Sequence, residues 1–144
     1  MGSWRDDASE QAQDDLDGLL NAALPFAQQQ LDAHGEFFPY GVAVDVGGAP
    51  RLFAGDPGDG EQPASLDVLE VLVEGLRSDR DGLRAVALVS DVRLSTADAV
   101  RVELEHREGP AMAVLLPYRP SESGHGVDYG GLAAAEARRQ IWID

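Results

Sequence analysis

Residues 83–118 read LRAVALVSDVRLSTADAVRVELEHREGPAMAVLLPY, and three strand patterns follow one another within them. From Val100 the alternation is unbroken: Val100, Val102, Leu104 and His106 point one way, and Arg101, Glu103, Glu105 and Arg107 the other. A period of two is that of a pleated strand with one covered face, so Ala99–His106 is expected to be a strand whose charged side meets solvent. Glu108-Gly109-Pro110 interrupts the run with turn residues and Ala111–Tyr118 resumes it, which predicts an antiparallel hairpin. Upstream, Leu83–Leu94 carries Ala85-Val86-Ala87-Leu88-Val89, apolar on both parities. A strand of that kind is covered on both faces and belongs near the middle of a sheet.

Working outward, Phe37–Val46 alternates with Phe38, Tyr40, Val42, Val44 and Val46 on one side, and Gly47-Gly48 turns the chain back into Arg51–Ala54 as a hairpin. Leu16, Leu19, Leu20, Ala23, Leu24, Ala27 and Leu31 recur at helical spacing from Asp15 onward. Gly35 supplies a stop, and a protonated His34 beside it would suit the helix C-terminus. Pro25 cannot donate to Asn21, so a kink or two short helices is expected there. Residues 55–64 read as a loop, and Ser65 as the N-cap of a helix that buries Leu66, Leu69, Leu72, Val73 and Leu76 and ends near Ser78. Beyond Arg119 the chain is Ser/Gly-rich. Val127–Gly130 offers a short strand, Ala133–Arg139 a helical or turn-like stretch, and Ile141-Trp142-Ile143 an apolar end that should dock.

The expected architecture is therefore α+β, an antiparallel sheet of about five strands in the order helix-strand-strand-helix-strand-strand-strand, with the helices packed on it. Residues 1–13, including Trp4, read as a flexible acidic tail, and 14–144 as a single domain. That order resembles the roadblock and profilin-like layouts, and the resemblance implies a sheet that serves as a dimerisation or docking scaffold.

Composition removes several chemistries. The chain has no cysteine, so thiol catalysis, disulfides and thiolate-bound zinc are out. All 11 basic residues are arginine, which removes the lysine of a Schiff base or a phosphate-binding P-loop. Against them stand 26 acids, a net charge of −15 that opposes binding to nucleic acid or an anionic membrane and is compatible with a basic protein partner. Solubility and salt adaptation would produce the same acidity. No run approaches the ~18 apolar residues of a membrane span, and no secretion signal opens the chain, so a cytoplasmic location is expected. With one asparagine and two isoleucines, the composition points to a high-GC bacterial genome.

No cofactor fingerprint is present, and no cofactor, metal site or catalytic set is expected. His106 has the residue type of a general base, yet Glu105 points to the opposite face of the strand, so the plainer reading is a residue capping the strand end. His125 lies in a loop with Ser121, Ser123 and Asp128 but without a nucleophile elbow. Asp56, Asp59 and Glu61 lack the oxygen ladder of a calcium loop.

The segments Phe38-Pro39-Tyr40, Asp98-Ala99-Val100-Arg101-Val102-Glu103-Leu104-Glu105-His106 and Leu116-Pro117-Tyr118 resemble those of a group of small high-GC actinobacterial proteins of unassigned activity. The resemblance extends from about residue 16 onward and implies a shared surface near those residues. The expected function is a non-enzymatic interaction or regulatory module that binds a protein partner or itself, with Asp91, Arg101, Glu103, Glu105, His106 and Tyr118 as the candidate surface. The alternative is a small-molecule-binding protein or hydrolase with a pocket near His106, Tyr118 and Asp91.

Overall fold

A computed structural model of the chain describes residues 9–34, 39–54, 65–94, 97–122 and 126–143. Trp4, Gly35, Phe38, the acidic loop of Asp56, Asp59 and Glu61, and His125 lie outside the described residues, as does the side chain of His34. Over the described residues the fold is α+β, with two helices and an antiparallel sheet that is larger than the sequence predicts.

Helix α1 (Glu10–His34) begins five residues before the apolar period does, because Ser9 caps it: the Ser9 hydroxyl accepts the Ala12 amide at 3.1 Å. Residues 10–13, which read as tail, are therefore helical, and Ala12 is fully buried. The helix runs through Pro25 without dividing in two. Pro25 and Asn21 both lie on the exposed side, where water can satisfy the carbonyl that lost its donor.

Strand β1 (Tyr40–Asp45) pairs with β2 (Pro50–Ala54) through a turn held by Asp45, whose carboxylate accepts the Gly47 and Ala49 amides at 2.9 and 2.8 Å. Gly48 completes that turn at φ 90°, a conformation that side chains resist. Helix α2 (Ser65–Asp79) and a 3-10 turn (Arg80–Gly82) lead into β3 (Leu83–Arg93), then β4 (Asp98–His106) and β5 (Ala111–Pro120). The strand order is β2-β1-β3-β4-β5, and two short strands, β6 (Val127–Tyr129) and β7 (Ala133–Ala135), share the far edge of β5.

Ala133–Ala135 reads as helical or turn-like but forms a strand. Alanine is a good helix former, yet the exposed edge of Ala113–Leu115 offers backbone partners that a three-residue helix could not supply to itself. With β6, which falls on the short strand offered by Val127–Gly130, β7 makes up the two strands beyond the expected five.

Helix α1 covers one face of the sheet, burying Leu16, Leu19, Ala23, Ala27 and Leu31 against Ala87, Val89, Val100, Val102, Leu104, Val114 and Leu116. Helix α2 covers part of the other, burying Val68, Leu72 and Leu76 with Ala43, Val86, Leu88 and Ile141. Strand β3 is accordingly buried on both parities. Helix α2 packs mainly on β1 and β3. The face of β4 that carries Arg101, Glu103 and Glu105 is covered by another part of the chain. No described helix is long and apolar enough to cross a membrane.

Candidate functional site

The six candidate residues fall into three separate neighbourhoods. His106 pairs with Ala85 at one end of β4, while Tyr118 pairs with Asp98 at the other. Eight steps of extended chain separate those ends, roughly 26 Å. His106 therefore does not share a pocket with Tyr118 and Asp91.

His106 is fully buried on the α1 side, as its parity predicts. Its Nε2 lies 2.9 Å from Asp15 Oδ2, and the other Asp15 oxygen accepts from Arg84 Nη2 at 2.8 Å. The Glu108 amide donates to His106 Nδ1 at 3.1 Å. Because Nδ1 accepts, Nε2 carries the proton and donates it to Asp15. Both ring nitrogens are engaged and water is excluded, so this histidine ties α1 to the β3–β4 end and is not available as a base. Asp15 was not among the sequence candidates. The signal was present: it occupies the same four-residue row as Leu19, Ala23, Ala27 and Leu31, an acid in phase with an apolar stripe.

At the opposite end the Tyr118 hydroxyl donates to Asp91 Oδ1 at 2.6 Å. Burial raises its pKa, and the hydrogen bond to Asp91 and the charges of Asp91 and Asp98 push it the same way, so the phenol stays a neutral donor. A cavity of about 260 Å³ opens beside it, lined by Arg93, Asp98 and Arg119 among others. That is smaller than the several hundred Å³ usual for a ligand site.

The third neighbourhood corrects the expectation that Arg101, Glu103 and Glu105 form a solvent-facing strip. Glu105 is only 4% exposed. Residues 136–143 lie across this face of β4 as a strap, and the Glu105 carboxylate accepts three consecutive main-chain amides from it. Gln140 N donates at 2.6 Å, Ile141 N at 3.1 Å to each oxygen, and Trp142 N at 2.9 Å. Successive amides converging on one anion form a nest, an arrangement in which backbone dipoles sum toward the charge. Arginines take the carbonyls. Arg101 donates to Glu136 O at 3.1 Å, Arg77 to Gln140 O at 2.6 Å, and Arg80 to Ile141 O and Ile143 O at 2.9 and 2.7 Å.

Side-chain recognition is sparse by comparison. Gln140 Nε2 donates to Glu103 Oε2 at 2.9 Å, Glu103 Oε1 accepts from Arg101 Nε at 3.1 Å, and Ile141 enters the α2 core with no exposure. Trp142 packs partly against that core. Ile141-Trp142-Ile143 thus docks, as expected, though Ile143 keeps 38% of its surface exposed. The strap has space on both sides. An open groove of about 1080 Å³ separates it from β5 and β7, and a cleft of about 420 Å³ separates it from α2. Glu103 and Gln140 line both, so their hydrogen bond divides one trough into two.

Chemically, the site holds the main chain of residues 136–143, bent at Ile141 and Trp142, by its amides and carbonyls. Among the described residues no group of three or more His, Asp or Glu side chains could hold a metal ion. No protein-family model matches the chain, nor does any curated protein or solved structure.

Proposed function

We propose that the chain is a non-enzymatic interaction module that binds a polypeptide segment bent across the face of β4, beside α2. The observation that carries this reading is the Glu105 nest with Arg77, Arg80 and Arg101 around it. Together these side chains satisfy amides and carbonyls of a polypeptide while demanding one apolar side chain, that of Ile141, from it. A surface whose side chains read main chain in this way suits another chain lying across the sheet face. The resident strap fills it in cis.

A hydrolytic or small-molecule reading loses its motive. It requires His106, Tyr118 and Asp91 around one cavity, and the sheet holds them at opposite ends.

The test is a titration of a labelled peptide of residues 133–143 against the full-length Ile141→Asp variant, whose own strap has lost its apolar anchor. Saturable binding that a further Glu105→Leu substitution abolishes is the expected result. If the peptide does not bind a folded Ile141→Asp chain, the site does not accept polypeptide in trans.

A further inference from the structure

We infer that the trough takes the strap of a second copy of this chain, so that two copies exchange residues 136–143 reciprocally. The inference rests on the polypeptide-binding reading above and names its partner. Its first support is identity of contacts. The strap in place shows what the trough accepts, and a second copy presents the same residues to the same Glu105, Arg77, Arg80 and Arg101. Exchange about a two-fold axis therefore keeps every clamp interaction, twice over.

The second support is the connection. The Gly130 amide is fixed to Pro117 O at 2.8 Å, and from Gly131 to Ala134 every residue is exposed. A Cβ built on Gly131 meets nothing within 4 Å. Gly130 is thus the fixed point, and Gly131 a hinge with room to turn. Beyond it, residues 136–143 must lie in whichever trough holds them, so residues 131–135 make the crossing, and five extended residues reach about 17 Å at ~3.3 Å per residue. The strap can leave its own trough and enter that of a neighbour placed face to face with it.

The third support is how little holds the strap besides the clamp. Only three residues of β7 pair with β5, and open space flanks the strap on the β5 and α2 sides. Among the described residues, Ile141 and, in part, Trp142 are what the strap contributes to a hydrophobic core. In a single copy the strap competes at the millimolar effective concentration typical of a short tether, so exchange becomes populated as protein concentration approaches that range.

Two full-length variants test this by complementation. Ile141→Asp keeps the clamp and spoils the strap; Glu105→Leu keeps the strap and spoils the clamp. Each alone is expected to be monomeric by light scattering, with helix and strand content retained by circular dichroism. Mixed in equal amounts, they are expected to form a species of twice the chain mass, because one trough and one strap remain intact. If the mixture stays monomeric while the strap peptide binds Ile141→Asp, the second copy is overturned as partner and the polypeptide-binding reading stands. If the peptide fails too, both fall. Should either variant not fold, unmodified protein decides. Labelled and unlabelled copies are mixed at about 1 mM, near that effective concentration. Intermolecular nuclear Overhauser contacts from Ile141 to the Leu72–Leu76 cluster are expected, and their absence overturns exchange.

Discussion

Replacing Glu105 by leucine should release the strap and leave the sheet intact. The carboxylate receives three amides through four contacts of 2.6 to 3.1 Å, in a side chain almost wholly removed from water. Hydrogen bonds to a charged acceptor contribute about 1.5–3 kcal/mol each, but these three share one group and are not additive. Removing the carboxylate also removes the cost of burying it, which offsets part of the loss. A net weakening of about 3 kcal/mol follows, and at 1.4 kcal/mol per decade the open state gains roughly a hundredfold in population. Native-state hydrogen exchange reads this directly. Protection of the Gln140, Ile141 and Trp142 amides should fall about a hundredfold, while the β3–β4 amides of Ala87 and Val102, which open only with the whole domain, should change far less. Glu105→Gln should fall between, since it keeps one acceptor oxygen but turns an NH₂ toward the amides. Unchanged protection at residues 140–142 would refute the clamp. An equal loss throughout the sheet would refute the claim that the strap opens independently.

Further expectations concern the rest of the fold. Asp15→Ala leaves Arg84 and His106 without their shared acceptor, a buried pair broken from one side, and should cost about 3–5 kcal/mol in denaturant unfolding. In an alkaline absorbance titration, Tyr40, Tyr118 and Tyr129 should all ionise later than a free phenol, because burial raises each pKa. The sign follows from linkage: their contribution to stability is complete below the unfolded value near 10 and is lost as pH rises beyond it, so the chain should unfold in alkali with the tyrosinate signal. Gly109 closes the β4–β5 turn at φ 135°, and Gly109→Ala should lower stability by about 1–3 kcal/mol in the same denaturant assay.

The meander of β3, β4 and β5 was legible because each strand carries its own alternation and each break carries turn residues. Both helices were legible for the same local reason, apart from the start of α1, which depends on a single serine hydroxyl. The strap was not. Arg101, Glu103 and Glu105 alternate with apolar residues just as a solvated face does, and what buries them arrives 35 residues later. Nothing near Glu105 in sequence marks it as an acceptor of backbone amides. Likewise the three alanines of β7 follow their own propensity on paper and the edge of β5 in the fold. His106 was placed on the correct face, but its chemistry depended on Asp15, 91 residues away.

The clamp also determines where the chain is free to drift. A site that grips amides and carbonyls is indifferent to most of what those backbone atoms carry, so Glu136 to Arg138 and Ile143 can be exchanged over generations with little penalty. Ile141 has no such freedom, and neither do Glu105, Arg77 and Arg80. Among descendants of a common ancestor, the variable part of this device should be the segment being held, and the invariant part the surface holding it. A search for relatives would then be guided better by the arginines of α2 and the 3-10 turn, read together with Glu105, than by the strap itself.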